Sequence, residues 1–291
     1  MITFIDCNNL CYRAFYATGN MAYGGNPTGV VFGFLNQLFS YILNYPEKFT
    51  PVFCWDSKES FRKEIYPEYK QNRRKDQTEE QKELFNQLFY QMDLLRRDIL
   101  PDLGWKKNVM HRPGYEADDL IAFGVSKIGR GVNIISSDED LFQLLNKTKD
   151  VLIYNPGKNS FFTESNFVTK YGIYPTSWPL VKAMAGCSSD NIKGVIGVGE
   201  KTSIKYINSK LDPKTKAFTN ILTSQDIVQR NLKLVKLPFI VNSYAEDWAS
   251  YPFTPTDTKV SKDKFKELFK QYGFRSFDEK FKQITPYLNL N

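Results

Sequence analysis

Histidine is almost absent from this sequence, which has one, His111, among 291 residues. Catalytic zinc sites and serine-type triads both depend on imidazole, as a metal ligand or as a general base. A single histidine largely excludes zinc sites of this kind and histidine-based hydrolases. Any chemistry must therefore rest on carboxylates and on basic side chains.

Cysteine is scarce too, and the four present, Cys7, Cys11, Cys54 and Cys187, follow neither a disulfide framework nor a zinc-ligand spacing. No apolar run is long enough to span a membrane, and the N-terminus lacks a basic leader followed by a cleavage site. These absences predict a cytoplasmic protein without membrane contact.

Basic and aromatic residues are plentiful instead. The chain has 39 Lys and Arg against 32 Asp and Glu, a formal charge of +7, and 23 Phe with 17 Tyr. Its length suits one large or two small domains with a sizeable core. The positive charge indicates a polyanionic partner, although many soluble basic proteins bind nothing anionic.

Strand and helix patterns alternate through residues 1–155, which predicts an α/β fold with a mostly parallel central sheet flanked by helices. Strands are predicted at 1–5, 51–55, 103–110, 131–136 and 151–154. Helices are predicted at 9–17, 28–45, 78–99, from 163 and from 175, and at 213–238 and 262–272. A Thr78–Gln81 capping box begins the third of these helices, and Ser261 caps the last. Beyond Ala185 the pattern is helical.

Acidic residues follow the predicted strands or begin the helix after them. They are Asp6, Asp56, Glu116, Asp118, Asp119, Asp138 and Asp140. Ligands of open α/β sheets bind at the carboxyl ends of the strands, so these acids should converge on one edge. Clustered carboxylates without histidine favour Mg²⁺ or Mn²⁺, and two such ions about 3.5–4 Å apart are the usual device for phosphodiester hydrolysis. Each acid taken alone could instead be a helix cap.

Two further segments are typical of nucleic-acid contact. Residues 61–75 mix six basic residues with Tyr66 and Tyr69, which suits phosphate contact and base stacking, although a solvated helix face would look similar. Gly194, Gly197 and Gly199 precede a helix start, an arrangement that can bind phosphate through backbone N–H groups. A plain glycine turn between two helices is the alternative there.

In these segments the chain resembles the 5′-nuclease (flap endonuclease) family, which includes free-standing bacteriophage enzymes and the N-terminal nuclease domain of bacterial DNA polymerase I. The resemblance covers nearly all of residues 1–240. It is carried by the motifs FIDCNNLCYRAFY (4–16), PTGVVFGFLN (27–36), FRKEIYPEYKQNR (61–73), GYEADD (114–119), SDEDL (137–141) and SDNI through GEKT (189–202). It implies a PIN-like, resolvase-like core, a helical arch and a helix–hairpin–helix-type subdomain.

The resemblance also implies roles for individual residues. It implies a first metal site of Asp6, Asp56, Glu116 and Asp118 and a second of Asp138, Asp140 and Asp190, with Asp118 near both and Asp119 supporting. It implies that Lys70 and Arg73 contact the scissile phosphate and that Tyr12 stacks on a base beside the cut. The DNA contacts that it implies lie at Arg13, Tyr69, Arg74, Lys75, Lys193, Gly194, Gly197, Gly199, Lys201 and Thr202.

The expected organisation is a nuclease domain at 1–185, with the arch at about 72–107, and a helical DNA-binding subdomain at 186–291 whose hairpin loop spans 190–207. Two Mg²⁺ ions, replaceable by Mn²⁺, and a K⁺ ion at the 194–199 loop are the implied cofactors. The implied substrates are DNA with 5′ flaps or free 5′ ends and RNA–DNA duplexes. We expect a monomer that meets replication proteins such as a polymerase or a single-strand-binding protein.

One position departs from the family pattern. Cys187 stands where the family usually has an aspartate of the second metal site, and a thiol is a poor partner for Mg²⁺. Two alternatives to a 5′ nuclease therefore stay open. One is a catalytically weakened relative that binds branched DNA, and the other is a small-molecule phosphatase suggested by the Asp138–Asp140 pair.

Overall fold

A six-stranded, mostly parallel sheet runs through the centre of the protein. The computed structural model describes residues 1–73, 77–240, 253 and 256–290. In chain order the strands are β1 (Ile2–Asp6), β2 (Ala22–Tyr23), β3 (Asn26–Pro27), β4 (Thr50–Trp55), β5 (Val109–His111), β6 (Val132–Ile135), β7 (Val151–Asn155), β8 (Ser160–Phe162), β9 (Gly186–Cys187) and β10 (Ile192–Lys193). The central sheet has the order β5-β4-β1-β6-β7-β8, and only its edge pair β7–β8 is antiparallel. The predicted α/β fold with a mostly parallel sheet is confirmed.

Helices connect these strands and continue to the end of the described chain. The α-helices up to residue 240 are α1 (Cys7–Thr18), α2 (Gly29–Asn44), α3 (Arg62–Ile65), α4 (Glu79–Leu94), α5 (Ala117–Ile128), α6 (Glu164–Tyr171), α7 (Trp178–Ala185), α8 (Glu200–Ile207), α9 (Lys216–Thr223) and α10 (Gln225–Val235). Two more follow at Lys262–Tyr272 and Phe277–Ile284. Shorter helical turns lie at Leu95–Ile99, Pro101–Trp105, Lys106–Asn108, Glu139–Leu144, Pro175–Ser177, Ser188–Asp190 and Thr285–Tyr287.

Other parts of the chain cover both faces of the sheet. The strands therefore bury apolar side chains on both of their sides. Because side chains alternate along a strand, Ile5 and Phe53 contribute to the core formed with α1 and α2, whereas Phe4 and Val52 contribute to the core formed with α5. No helix among the described residues is long and apolar enough to cross a membrane.

The predicted helix starts at Thr78 and Ser261 are confirmed by their hydrogen bonds. The Thr78 hydroxyl accepts from the backbone N–H of Gln81 at 3.2 Å, and the Gln81 side chain accepts from the Thr78 N–H at 3.0 Å. The Ser261 hydroxyl accepts from the N–H of Lys264 at 3.3 Å.

The predicted strand at 103–110 is wrong over most of its length. Only Val109–His111 pairs with β4, and Pro101–Trp105 forms a helical turn. Leu103 and Trp105 are buried in the core shared with α1 and α2 rather than in the sheet. Between them Gly104 has φ of 113°, a break in the helical backbone, and both apolar residues reach the same core.

The packing of the last two helices and of residues 88–105 bears on the predicted division at 185/186 and on the predicted arch, both of which stay predictions. The two helices after residue 261 pack into the core under α2, where the Phe277 ring stacks on Phe32 at a centroid distance of 4.7 Å. They therefore belong to the same unit as the sheet. From Leu88 onward the predicted arch segment contributes Leu88, Met92 and Leu95 to this core as well. Within the predicted arch segment, the described residues 77–87 include no buried side chain.

A third apolar cluster joins the segment from α7 to α10, including Ala183, Ile192, Val198 and Ile221. Tyr66 and Tyr69 from the basic segment pack against it. This cluster brings the glycine-rich loop and the basic segment to the edge of the sheet where β1, β4 and β6 end.

Candidate active site

Three neighbouring strands deliver acids to the same edge of the sheet. Asp6 is the last residue of β1, Asp56 follows β4, and Asp138 follows β6. β1 lies between β4 and β6, so their carboxyl ends meet. The structure therefore brings together the strand-end acids that the sequence places at this edge.

Two asparagines at the start of α1 fix the neighbouring strand ends. Asn8 accepts a hydrogen bond from the N–H of Asp56 at 3.0 Å, and Asn9 accepts from the N–H of Ser137 at 3.1 Å. The Asp6 carboxylate caps α1 by accepting from the N–H of Asn9 at 3.0 Å. Neither asparagine was predicted from the sequence to belong to the site. The signal that could have indicated them is a pair of amide side chains directly after an acid at the end of a strand.

The acids raise one another's pKa. Burial, and then Asp56 and Asp138, raise the pKa of Asp6 to about 7. Asp138 lies exposed at the rim, yet its pKa is raised to about 6, first because the surrounding protein limits its solvation and then because Asp140 is close. Partial neutralisation of these acids is the cost of crowding them, and a bound cation would relieve it.

Lys70 lies among these acids. Its Nζ donates to Glu116 Oε2 at 2.8 Å, and the Tyr69 hydroxyl donates to the same oxygen at 3.0 Å. Burial alone would raise the pKa of Glu116, but Lys70 and Arg62 outweigh it and lower this pKa to about 2. Burial would also lower the pKa of Lys70, but the charges of Glu116, Asp190 and Asp56 raise it above its ordinary value. The positive charge of Lys70 thus offsets the negative charges of Glu116 and Asp56 on one side of the site and of Asp190 on the other.

The backbone of Lys70 is held in an uncommon conformation. Its φ is 56°, in the left-handed region that non-glycine residues seldom adopt. The Lys70 N–H donates to the carbonyl of Asp190 at 2.8 Å, which ties the basic segment to the turn after β9. Non-glycine residues in this region concentrate at functional sites, where surrounding contacts hold them.

Asp119 lies behind the site, in line with the supporting role that the resemblance implies for it. Its two oxygens accept from Arg62 Nη1 and Nη2 at 2.6 and 2.8 Å. They also accept from the N–H groups of Glu116 and Phe239 at 3.1 and 2.7 Å. Four donors fill the acceptor capacity of a carboxylate, so Asp119 supports the site through the start of α5.

Arg62 is the partner that sequence reasoning missed, because it looks like one more base in a basic segment. Its side chain is buried, and besides Asp119 it approaches Glu116 at 3.6 Å and Asp118 at 4.0 Å. Its Nε donates to the carbonyl of Leu234 at 2.8 Å. Arg62 is therefore an internal counter-charge for the start of α5 and is not available to DNA.

A second group of possible metal ligands lies beside the first group, which consists of Asp6, Asp56, Glu116 and Asp118. One ligand atom each from Asp140, Cys187 and Asp190 lies within 4.8 Å of the other two. The antiparallel pair β9–β10 forms the turn that carries Cys187 and Asp190. Cys187 Sγ lies 3.0 Å from the Ser189 hydroxyl, and burial followed by the charge of Asp190 raises the pKa of the thiol. Cys187 therefore lies within this second group.

Two basic side chains already pair with the acids of the second group. Arg73 Nη2 lies 2.6 Å from Asp190, and Lys182 Nζ lies 3.3 Å from Asp140. Lys182 also contacts Glu200 at 3.2 Å, at the start of α8. Lys182 was missed by sequence reasoning, since a single lysine in the helix preceding Gly186 carries no recognisable signal.

By donor type, the acids that the resemblance implies for a first metal site suit a hard divalent cation, although the structure does not bring three of their ligand atoms within 4.8 Å of one another. Asp6, Asp56, Glu116 and Asp118 offer oxygen ligands only, as Mg²⁺ and Mn²⁺ prefer. Asp118 Oδ1 is buried without a hydrogen-bond donor among the described residues. Burial and the neighbouring Asp119 raise the pKa of Asp118 well above its usual value. The second group fits such an ion poorly, because Cys187 offers sulfur.

Of the predicted DNA contacts, Tyr69 is placed differently from the expectation. Its ring is buried and its hydroxyl is engaged with Glu116, so it cannot stack on a base. Tyr12 and Arg13 are half-buried on α1, where Arg13 Nε donates to Gln37 at 3.3 Å. Arg74 and Lys75 lie outside the described residues.

The glycine-rich loop has the geometry of a tight turn beside a helix start. Gly197 has φ of 74°, and a side chain at Gly194 would collide with the backbone of Ala185. Gly199 is the N-cap of α8, and the predicted contacts Lys193 and Lys201 are exposed, with Thr202 half-buried. The Ile196 carbonyl accepts from Asn220 Nδ2 at 2.9 Å, so one loop carbonyl already has a partner.

Comparison with known proteins identifies the family to which this site belongs. The family model described as the 5′-3′ exonuclease N-terminal, resolvase-like domain matches residues 1–172. The chain belongs to the 5′–3′ exonuclease family. It is 30% identical over 293 residues to a 5′-3′ exonuclease of Buchnera aphidicola, with 96% of this chain and 97% of that protein covered. It is 34% identical over 211 residues to DNA polymerase I of Mycobacterium tuberculosis, covering 70% of this chain and 22% of that polymerase.

Solved structures agree with this family assignment. A crystal structure of the bacteriophage T5 flap endonuclease, in a complex with DNA and metal ions, matches with a TM-score of 0.68 and 26% identity over 85% of this chain and 91% of that one. Flap endonuclease-1 of Methanococcus jannaschii shares the fold, with a TM-score of 0.56 and 14% identity over 99% of this chain and 91% of that one. This exonuclease family member is thus a nuclease by family, and it shares the fold of these two enzymes.

Proposed function

We propose that the chain is a metal-dependent, structure-specific 5′ nuclease that cleaves 5′ flaps and digests 5′ ends by a two-metal mechanism. The observation that carries the proposal is the meeting of acids at one edge of the sheet, where Asp6 and Asp56 follow the paired strands β1 and β4 and Lys70 donates to Glu116 at 2.8 Å. A protein that only binds DNA gains nothing from buried carboxylates beside a phosphate backbone. Relatives of this chain are named as exonucleases and flap endonucleases, and these names support the proposed cleavage of phosphodiester bonds.

The proposed metal ligands are Asp6, Asp56, Glu116 and Asp118 for a first ion and Asp138, Asp140 and Asp190 for a second. When bound, two Mg²⁺ or Mn²⁺ ions would supply a water nucleophile at neutral pH and charge neutralisation at the phosphodiester. Lys70 and Arg73 add positive charge where negative charge develops in the transition state. Arg62 and Asp119 hold the start of α5, so that Glu116 keeps its place.

DNA would be held by the surfaces next to this edge. Tyr12 on α1 is proposed to stack on a base beside the cut, and Lys193 and Lys201 to contact the phosphates of the duplex. The backbone N–H groups of the 194–199 loop would take a phosphate, with K⁺ at the loop carbonyls. The exposed stretch before Leu88 is the part proposed to arch over a single-stranded 5′ end. We include RNA–DNA duplexes among the substrates.

We also propose that the protein acts as a monomer and works beside a polymerase or a single-strand-binding protein. The match to the nuclease region of DNA polymerase I supports a polymerase as a working neighbour. Size-exclusion chromatography with light scattering, with and without flap DNA, tests the monomer. One chain per DNA is the expected stoichiometry.

A second candidate function is binding of branched DNA with weak cleavage. Cys187 in the second donor group favours it, because sulfur replaces an oxygen ligand there. The first group of acids argues against this second function, because its buried carboxylates are all present. The two candidates differ in whether cleavage occurs at all when metal is supplied.

The deciding experiment is cleavage of an end-labelled 5′-flap DNA, with product lengths read on a gel while Mg²⁺ and then Mn²⁺ are titrated. Products within one nucleotide of the junction, absent for Asp138→Asn, establish the nuclease. A generic phosphate ester assayed in parallel should not be hydrolysed. Tight flap binding without product at any metal concentration would leave the binding function as the better account.

A further inference from the structure

The second donor group has an unusual composition for the hydrolysis proposed above. Its three closest ligand atoms are two carboxylate oxygens, from Asp140 and Asp190, and the sulfur of Cys187. Their mutual separation of at most 4.8 Å lets one ion reach all three. The first group, in contrast, is proposed to offer oxygen only. The two positions of one active site therefore differ in ligand chemistry.

This difference decides which ions each position accepts. Thiolate is a soft ligand that favours Zn²⁺, Cd²⁺ and related ions, whereas Mg²⁺ prefers oxygen in near-octahedral geometry and keeps much of its water. A site of two carboxylates and one thiolate matches the three protein ligands of an open zinc site, with a position left for water or substrate. For Mg²⁺ the sulfur of Cys187 takes a position at which a further oxygen ligand would bind better.

From this mismatch we infer that the position formed by Asp140, Cys187 and Asp190 is a thiophilic metal site, selective for Zn²⁺-class ions over Mg²⁺. The inference rests on the proposed function, because it assigns a different ion to one half of that active site. Lys182 and Arg73 pair with the two carboxylates in the absence of metal. An ion that also gains a thiolate bond competes with them better than Mg²⁺ does.

The other cysteines allow a clean readout at Cys187. Cys7, Cys11 and Cys54 are each 0% exposed, whereas Cys187 is partly exposed. Asp140, Cys187 and Asp190 are also the one cluster of potential metal ligands that includes a cysteine among the described residues. A sulfur-to-metal charge-transfer band in the folded protein therefore reports on this position.

The test is a titration of the full-length, metal-free protein with Cd²⁺, followed by ultraviolet absorbance and by alkylation of the accessible thiol. We expect a charge-transfer band that saturates at one ion per chain and survives Mg²⁺ at concentrations that saturate flap cleavage. Bound Cd²⁺ or Zn²⁺ should slow alkylation of Cys187 at least tenfold. Mg²⁺ alone should leave the alkylation rate unchanged.

Matched variants identify the ligands. Cys187→Ser keeps the size of the side chain and Cys187→Asp restores an oxygen ligand, and both should abolish the band. Asp140→Asn and Asp190→Asn keep the thiol and should raise the Cd²⁺ concentration at half-saturation at least tenfold. A missing band, a band that persists in Cys187→Ser, or a band that Mg²⁺ displaces would overturn the inference.

Flap cleavage by the same preparations decides the proposed function separately. Cleavage without the band refutes the thiophilic site and leaves the nuclease intact. The band without cleavage at any metal concentration supports the thiophilic site and refutes the nuclease. The spectroscopic result therefore does not depend on turnover.

Discussion

Two isosteric substitutions at neighbouring acids should change stability in opposite directions. Asp6→Asn and Asp119→Asn each remove one carboxylate charge near the carboxyl edge of the sheet. Asp6 is crowded by Asp56 and Asp138, whereas Asp119 is fully paired with Arg62 and two backbone N–H groups. We expect metal-free Asp6→Asn to be more stable than the parent protein and Asp119→Asn to be less stable.

The magnitude for Asp6 follows from its pKa. In the folded protein this pKa is about 7, against 3.8 for the ordinary group. As pH rises through this window the unfolded chain loses the proton first, so stability falls by up to about 4 kcal/mol and stays low above pH 7. Asparagine at position 6 does not ionise, so this loss of stability disappears, but the hydrogen bond that the Ser136 hydroxyl donates to the side chain becomes weaker. We therefore expect the free energy of unfolding to rise by a net amount of about 1–3 kcal/mol at pH 8. Near pH 4 the gain should vanish.

The magnitude for Asp119 follows from the pair it breaks. Removing one partner of a buried ion pair costs about 3–5 kcal/mol, because the other charge stays buried. Arg62 keeps Glu116 at 3.6 Å and Asp118 at 4.0 Å, so we expect the lower end, about 3 kcal/mol. For a protein of this size the midpoint of thermal unfolding should fall by about 6–12 °C.

The assay is urea unfolding in the presence of a chelator, at pH 4.5 and at pH 8, with thermal unfolding as a second measure. Mg²⁺ should then stabilise the parent protein more than Asp6→Asn, because the repulsion it would relieve is absent in the variant. If Asp119→Asn is stabilised as Asp6→Asn is, Asp119 is one of the crowded acids and its placement behind the site is refuted. If Asp6→Asn loses stability at pH 8, the electrostatic account of the site fails.

Three further predictions concern ions, catalysis and DNA. Cys187→Asp should lower the Mg²⁺ concentration for half-maximal flap cleavage, because it replaces sulfur by oxygen in the second group. An unchanged Mg²⁺ titration would mean that the thiol does not limit the use of Mg²⁺. Lys70→Met should reduce kcat roughly 10²–10³-fold with flap binding retained, as loss of one transition-state charge partner does elsewhere, and a change in KM alone would contradict that role. Replacing Lys193 and Lys201 by alanine should lower the slope of log affinity against log salt by about 0.9 for each DNA phosphate that is no longer neutralised by a lysine. Lys149→Ala, exposed just before β7 at the opposite edge of the sheet, is the matched control and should leave that slope unchanged.

The position of the acids could be predicted because it depends on short-range signals. A buried strand that ends on an acid, repeated in a parallel sheet, places each acid at the same edge whatever the loops do. The helix start at Thr78 is local in the same way, since Thr78 and Gln81 satisfy each other. Such features are determined by a few adjacent residues, and the structure contains them where the sequence places them.

The contacts that could not be predicted join residues far apart in the chain. Arg62 meets Asp119 across 57 positions and Leu234 across 172. In sequence Arg62 and Lys70 are equivalent members of one basic segment, yet the first is buried under the site and the second lies among its acids. Tyr69 shows the same limit, because burial against the third cluster makes it a partner of Glu116 instead of a stacking surface.

The charges of the site are unevenly distributed between its two halves, and this asymmetry gives the halves different demands for metal. In the half formed by β1 and β4, burial and then the charges of Asp56 and Asp138 raise the pKa of Asp6 to about 7. In the half formed by β9 and β10, Arg73 and Lys182 already neutralise Asp190 and Asp140. In the first half Lys70 already pairs with Glu116, but a hard divalent cation beside Asp6 and Asp56 still replaces repulsion by attraction. In the second half it must displace an arginine and a lysine and accept sulfur, so Mg²⁺ should fill the first position at lower concentration than the second.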